Sequence, residues 1–339
     1  MSDLAAIVRK SRTESVVESL RAEGVYDSSR RIEPYDDDST AVPVLDAPTE
    51  AEIDDLVETH LPPRERGLGD LLKARGTADD VVDAAPSSWA VIGSVVLVDF
   101  GDVSNDETID RPAREAIGDA LLELHGEADT VVARGGIAGT RRDPSGEVVA
   151  GVGETETIHT EHGTRYALDL AEVMFSPGNK VERARMGEVV ESGERVFDMF
   201  AGIGYFALPM ARAGASVTAA EIDPVSYRWL VENAQLNGVT ENVRAVLGDC
   251  RTVETTADRI VMGYYEAHAY LESALDALVP DGIVHLHEAT PEPRFPERPV
   301  ERLRTAAAAA GRTVDVLDTR QVKTHSAGVL HGVVDARVD

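Results

Sequence analysis

The sequence predicts an α/β protein, with a doubly wound, mostly parallel sheet over residues 176–339 preceded by a smaller α+β domain over residues 86–175. Three observations predict it. From Lys180 onward, short apolar β-branched runs alternate with helical stretches, the pattern of a parallel sheet covered on both faces. The block before it reads β-α-β-β, too short for a second doubly wound unit. The length of 339 residues, at roughly 150 per domain, suggests two domains and a short extra module. That module is an N-terminal extension over residues 1–85, to which the sequence assigns no role.

The elements follow in order. Residues 3–22 read as an amphipathic helix, 23–49 as short strands and turns around Asp36-Asp37-Asp38, and 50–84 as short helices broken at Pro62-Pro63 and Gly76. The run AVIGSVVLVDF (90–100) is apolar and β-branched and reads as a strand. A helix over 108–125, a strand over 130–135, a turn RRDPSGE over 141–147 and a strand over 164–175 complete that block. Seven strands are then expected, at 195–200, 216–221, 243–247, 258–262, 282–288, 312–320 and 328–337. Helices at 206–213, 224–237, 267–279 and 297–310 separate them. The last two strands are joined by a turn, which puts one antiparallel strand into the sheet.

Composition excludes several classes. Hydrophobic residues make up 43 %, enough for ordinary cores. No apolar run approaches the roughly 18–20 residues of a membrane span, and MSDLAAIVRK lacks a signal-peptide core, so a cytoplasmic protein is expected. One cysteine, Cys250, excludes an internal disulfide framework and any multi-cysteine metal site. The net charge is −28, and only Lys10, Lys73, Lys180 and Lys323 among the 33 basic residues are lysines. An acidic, arginine-dominated surface of this kind reads as adaptation to a salt-loaded cytoplasm, where carboxylates keep the surface hydrated. Molar salt shrinks the Debye length to roughly 3 Å. Local arginine clusters then decide nucleic-acid binding. They are Arg30-Arg31, Arg64 with Arg66, Arg141-Arg142, and Arg183 with Arg185.

The loop DMFAGIGYFALP (198–209) follows an expected strand and opens a helix. Asp198 begins it, and Gly202 and Gly204 let the backbone turn tightly and approach a ligand. The next strand ends in Glu221, placed to accept both hydroxyls of a ribose. The third runs into GDCR (248–251), where Asp249 suits an adenine amino group and the Cys250 backbone the ring edge. No G-x-G-x-x-G disfavours a nicotinamide site, and the lack of Gly-Lys-Ser/Thr excludes a P-loop.

This block resembles the class I S-adenosylmethionine-dependent transferases. FSPGNKVER (175–183), DMFAGIGYFALP, EIDP, ADRIVMGYY (257–265) and VKTHSAGVLHGVVD (322–335) narrow the likeness. They resemble the archaeal and eukaryotic wybutosine-synthesising tRNA aminocarboxypropyltransferases, siblings of the tRNA guanosine-37 N1-methyltransferases. The resemblance covers roughly residues 86–339. It implies a Rossmann-like class I methyltransferase fold with a seven-stranded sheet behind an RNA-positioning domain. Two departures separate the siblings. Gly178 and Asn179 stand where the methyltransferases carry Arg-Leu, and Met262-Gly263-Tyr264 where they carry Asn-Leu-Pro.

The activity implied is transfer of the 3-amino-3-carboxypropyl group to C7 of 4-demethylwyosine at position 37 of phenylalanine tRNA, with S-adenosylmethionine as co-substrate and no metal. Guanosine-37 N1-methylation is the alternative. A cofactor-binding RNA chaperone without turnover is a third reading, which the intact loop argues against. The resemblance carries cofactor contacts to Ser176 and Arg183. It places Glu182 where the siblings keep a general base, and Arg142 near a substrate-orienting arginine. Glu182 also suits an i,i+3 pair with Arg185, and Arg142 a solvated turn. Tyr205, Tyr264 and Tyr265 flank the cleft, for stacking or for packing. His285 and His287 share a strand face without a third ligand, so no metal is expected. Arg134, Arg141 and Arg142 are the expected phosphate contacts to an anticodon loop, and no obligate protein partner is indicated.

Overall fold

The structure, a computed structural model, describes residues 4–64, 67–101, 109–138 and 143–339. The chain forms two compact units, residues 1–78 and 79–339.

The first unit is built on an antiparallel sheet. Its elements are β1 (Leu4–Arg9), α1 (Thr13–Ala22), β2 (Glu33–Pro34), β3 (Ser39–Pro43), β4 (Asp55–Glu58) and α2 (Leu68–Ala74). The strand order is β2-β3-β1-β4. The helix expected over 3–22 is therefore half strand. Ala5, Ala6, Ile7 and Val8 are all buried. Ala6 and Val8 pack beneath α1 with Val16 and Leu20, while Ala5 and Ile7 face Leu61 on the other side. A four-residue apolar run buried on both faces carries no period with which to tell strand from helix.

The second unit opens with α3 (Asp79–Ala84), β5 (Trp89–Ile92), β6 (Val95–Val98), α4 (Arg111–Leu124), β7 (Thr130–Ala138) and β8 (Asp143–Gly151). The strand expected over 90–100 is a hairpin, because Gly93 turns at φ +57° and β5 folds back on β6. Asp110 caps α4, accepting from Ala113 N at 2.9 Å. The expected turn over 141–147 is largely strand, since β8 pairs with β7 from Asp143. Next come β9 (Glu156–Glu161), which the sequence reading missed, and β10 (Thr164–Asp169).

Then follow α5 (Lys180–Val189), β11 (Arg195–Asp198), α6 (Ala207–Arg212), β12 (Ser216–Glu221), α7 (Pro224–Leu236), β13 (Val243–Leu247) and β14 (Ala257–Met262). The chain closes with α8 (Leu271–Ala277), β15 (Leu278–Pro291), α9 (Glu297–Ala309), β16 (Val314–Ser326) and β17 (Val329–Val338). These strands make a seven-stranded sheet in the order β13-β12-β11-β14-β15-β17-β16, with β17 antiparallel to both neighbours. The expected Rossmann-like sheet with one antiparallel strand is thus present.

One core joins the two blocks of this unit. Ile92, Val95 and Val132 pack in the same cluster as Tyr166, Phe175, Met186, Ile203 and Leu230. Two asparagines four residues apart on α7 hold the edge of β10. Asn233 pairs both ways with Ala167, at 2.7 and 3.0 Å, and Asn237 accepts from Arg165 N at 2.9 Å. Chain order reverses between β11 and β14, and at such a switch point an open α/β sheet leaves a crevice beyond its strand ends.

Candidate active site

The glycine loop leaves β11 at that crevice. Met199 N donates to Val261 O at 3.0 Å and Ala201 N to Ala220 O at 2.9 Å, so the loop is pinned to both neighbouring strands. Gly202 then takes φ +56° and Gly204 φ +101°, in the left-handed region. Glu221, at the end of β12, accepts from Gly202 N at 2.7 Å and from Asp223 N at 2.8 Å. One carboxylate thus fixes the loop to the start of α7. Burial raises the Glu221 pKa above the ordinary carboxylate value. Asp223 caps α7 through Ser226 N at 2.8 Å.

Around this corner lies one cavity. One end is walled by Gly202, Glu221, Ile222, Gly248, Asp249 and Cys250. Its other end is walled by Ser176, Asn179, Arg183, Gly263, Tyr265 and His331. Six of the eight residues expected to bind cofactor therefore border one space, namely Ser176, Arg183, Gly202, Glu221, Asp249 and Cys250.

Their geometry refines each expected role. The Asp249 carboxylate accepts from Arg251 N at 2.9 Å and Arg251 Nε at 3.0 Å, and these bonds lower its pKa. An adenine amino group would share that carboxylate with Arg251. Burial pushes the Cys250 thiol up to about 12, so it stays protonated and is no nucleophile. Ser176 Oγ accepts from Lys323 Nζ at 2.5 Å, which couples the entry segment to β16.

Arg183 departs from its expected role. Its guanidinium is buried and forked onto Glu161, Nε to Oε2 at 2.7 Å and Nη2 to Oε1 at 2.9 Å. Its Nη1 donates to Ser176 O at 2.9 Å. Burial alone would raise the Glu161 pKa, but His159 and Arg183 hold it down to about 2. The fork meant for a cofactor carboxylate is spent on a protein carboxylate from β9. Arg183 borders the cavity and also braces Ser176.

Glu182 departs further. It is buried, does not border the cavity, and both its oxygens are taken by Arg320 of β16. Its two oxygens are thus already committed to a guanidinium fork. It does not pair with Arg185, which reaches Asp335 at 2.6 Å instead. Arg66, Arg141 and Arg142, and with Arg142 the expected orienting role, lie outside the described residues. Arg134 is exposed on β7.

Asp198 and Gly204 lie behind the wall. Asp198 is wholly buried, its Oδ1 accepts from Phe200 N at 3.3 Å, and its Oδ2 has no partner among the described residues. Burial pushes its pKa up to about 7. The folded value lies above the unfolded one, so the native chain holds an extra proton between pH about 4 and about 7. Stability therefore falls as pH rises through that window and levels above it. Asp198→Asn has no such loss. Relative to wild type it should gain about 1–3 kcal/mol between pH 4 and pH 8 in urea unfolding. A difference that does not change with pH would contradict a raised Asp198 pKa.

Sequence reasoning missed Phe200, Tyr270 and His331. Phe200 packs against Tyr264 in a tilted pair at 5.2 Å and meets Tyr270 edge-on at 5.0 Å, and all three border the cavity. Tyr205, expected to flank the cleft, does so while donating its hydroxyl to Met174 O. His285 bonds Asp335 at 2.6 Å and His287 bonds His331 at 3.0 Å. Among the described residues no group of three or more His, Cys, Asp or Glu is placed to hold a metal.

Comparison with known proteins gives consistent findings. A family profile described as the TRM5/TYW2 methyltransferase domain matches residues 157–317, and one described as the TYW2 N-terminal domain matches residues 68–155. The tRNA(Phe) (4-demethylwyosine(37)-C(7)) aminocarboxypropyltransferase of Pyrococcus horikoshii is 37 % identical over 267 residues, 77 % of this chain and 92 % of that one. The crystal structure of P. horikoshii TYW2 in complex with MeSAdo is 34 % identical, with a TM-score of 0.69, over 80 % of this chain and 97 % of that one. The crystal structure of Trm5b from Pyrococcus abyssi is 31 % identical, with a TM-score of 0.73, over the whole of both chains.

Proposed function

Because the chain belongs to the TRM5/TYW2 family, we propose that it transfers the 3-amino-3-carboxypropyl group of S-adenosylmethionine to C7 of 4-demethylwyosine at position 37 of phenylalanine tRNA, releasing methylthioadenosine. The observation that carries this reading is the 37 % identity spanning nearly all of an aminocarboxypropyltransferase. Two local features favour it over the methyltransferase sibling. Met262-Gly263-Tyr264 offers no side-chain amide at the end of β14. A Cβ on Gly178 would stand 3.0 Å from Lys323 Cδ, so an arginine there and Lys323 compete for one space.

The residues divide the work by position. The sulfonium activates every carbon attached to it, and alignment selects which one reacts. Holding a nucleophile in line at roughly 3–3.5 Å is worth several kcal/mol of barrier. Glu221 accepts the ribose hydroxyls, Asp249 the adenine amino group, and the bare backbone of Gly202 lies against the nucleoside. Ser176, supported by Lys323, holds the amino-acid arm at the far end. Tyr264 and Tyr270 present ring faces for the splayed base of an anticodon loop. Arg134, Arg141 and Arg142 meet its phosphates. Residues 86–175 position the tRNA and residues 176–339 bind the cofactor.

No helix among the described residues is long and apolar enough to cross a membrane. The arginine-rich basic set and the −28 charge support a cytoplasmic protein of a high-salt interior.

The test uses tRNA carrying 4-demethylwyosine and cofactor labelled on the methyl or on the carboxyl group. Carboxyl label should enter the RNA with equimolar methylthioadenosine, and methyl label should not. Entry of methyl label alone would establish the methyltransferase reading instead.

A further inference from the structure

S-adenosylmethionine carries a carboxylate at the far end of its amino-acid arm, and a positive charge is its natural complement. The two guanidiniums flanking that end of the cavity are committed elsewhere. Arg183 of α5 is forked onto Glu161, and Arg320 of β16 bonds Glu182 and Asp335. An ammonium also stands there, that of Lys323 on β16. Its Nζ donates to Ser176 Oγ at 2.5 Å, and Ser176 borders the cavity.

The local structure is arranged around this contact. Ser176 stands just before a 3-10 turn, Pro177–Asn179, that leads into α5. A serine in such a position ordinarily accepts from a backbone amide of the turn. Ser176 makes no capping bond, and its Oγ accepts from Lys323 instead. The lysine stem reaches it over bare backbone. A Cβ on Gly178 would stand 3.0 Å from Lys323 Cδ and 4.0 Å from its Nζ, so a larger side chain there would occupy the path of the stem. The charge is also felt on the wall. The His331 pKa is lowered first by burial, then by His287, and further by Lys323.

We propose that Lys323 is the positioning residue for the carboxylate of the co-substrate, acting through Ser176. This rests on the function proposed above. Lys323 stands behind Ser176 rather than on the wall itself. An ammonium can only donate, so Ser176 Oγ accepts from it and keeps its own hydrogen for the ligand carboxylate. A carboxylate oxygen accepting from that hydroxyl at roughly 2.7 Å lies within about 5 Å of Nζ. At that range an opposite charge beside a partly buried site favours the ionised ligand.

The consequence for the chemistry is alignment. The carboxylate and the reacting methylene lie at opposite ends of one arm. Tethering the carboxylate fixes where the methylene points, and in-line approach of the base depends on that direction. Methylthioadenosine has lost the arm, so the reaction itself releases the product from this contact.

The test measures by calorimetry the affinity of wild type, Lys323→Met, Lys323→Arg and Ser176→Ala for S-adenosylmethionine, its decarboxylated analogue and methylthioadenosine. Wild type should bind S-adenosylmethionine about 10- to 100-fold more tightly than the decarboxylated analogue, the range of a hydrogen bond to a charged group. In Lys323→Met and in Ser176→Ala that preference should fall to within threefold, and the double variant should lose no more than either. Lys323→Arg, which restores a cation, should recover part of it. Methylthioadenosine affinity should stay within threefold of wild type throughout, which a general disturbance of the fold would not allow. No preference in wild type, its full retention in Lys323→Met, or an equal loss for all three ligands overturns the assignment. Additive losses in the double variant would put the two side chains on separate contacts and overturn it too. Entry of methyl rather than carboxyl label into tRNA with wild type would overturn the functional reading instead, and the calorimetric comparison would still decide the role of Lys323.

Discussion

Arg183→Met should destabilise the protein by about 3–5 kcal/mol in chemical unfolding, the cost of leaving one member of a buried ion pair without its partner. Both side chains of the Arg183–Glu161 pair are 3 % exposed, and the fork satisfies both carboxylate oxygens. Removing the guanidinium strands Glu161 between His159 and the Phe175 ring, over which Arg183 itself sits at 4.7 Å. The double variant Arg183→Met with Glu161→Gln should recover most of the loss, because no charge is then left in the core. The pair also has a pH signature. Glu161 has a folded pKa depressed to about 2, so its contribution is complete above the unfolded carboxylate range near 4.5 and fades as pH falls through about 2. That acid-side loss should be missing from the double variant. Were Arg183 instead the direct partner of the cofactor carboxylate, the single variant would keep its stability and lose only cofactor affinity.

Gly202→Ala should weaken S-adenosylmethionine binding by at least about 100-fold, read by calorimetry. Two causes add. An alanine at φ +56° is strained, at a cost of roughly 1–2 kcal/mol. Its Cβ would also stand 2.4 Å from Tyr205 Cε2, and that ring cannot yield easily because its hydroxyl is bonded to Met174 O. The loop must move, and with it the Gly202 amide that orients Glu221. Affinity within threefold of wild type would show that the nucleoside does not lie against this backbone. Gly204 is constrained differently. Its Cβ would meet Leu208 Cγ at 2.7 Å behind the wall, so substitution there bears on the core.

How far the site was legible can be judged residue by residue. The glycine loop, Glu221 and Asp249 were readable because each is fixed by a local rule, a φ only glycine tolerates or a strand tip at a known chain distance. Cys250 was readable as a wall residue for the same reason. Arg183 and Glu182 are adjacent on one helix and look available in sequence, whereas the fold gives each a buried ionic partner. Their partners, Glu161 and Arg320, lie 22 and 138 residues away. His331 was quoted in a motif and given no part, since its second nitrogen is bonded to a histidine 44 residues earlier. In the fold, the β5–β6 hairpin was hidden by apolar residues on both sides of Gly93. A Cβ there would stand 2.1 Å from Thr157 Oγ1, a close approach from β9 that only the folded chain reveals.

By itself the sequence determined the alternation of strand and helix, and so the sheet, its switch point and the glycine corner beside it. Those features follow from periodicity and from glycine stereochemistry, which act within a few residues. Only the tertiary structure decided which charges are free to do chemistry. Ion pairs form between strands and helices brought together from distant parts of the chain. Once buried, a paired carboxylate is committed to its guanidinium.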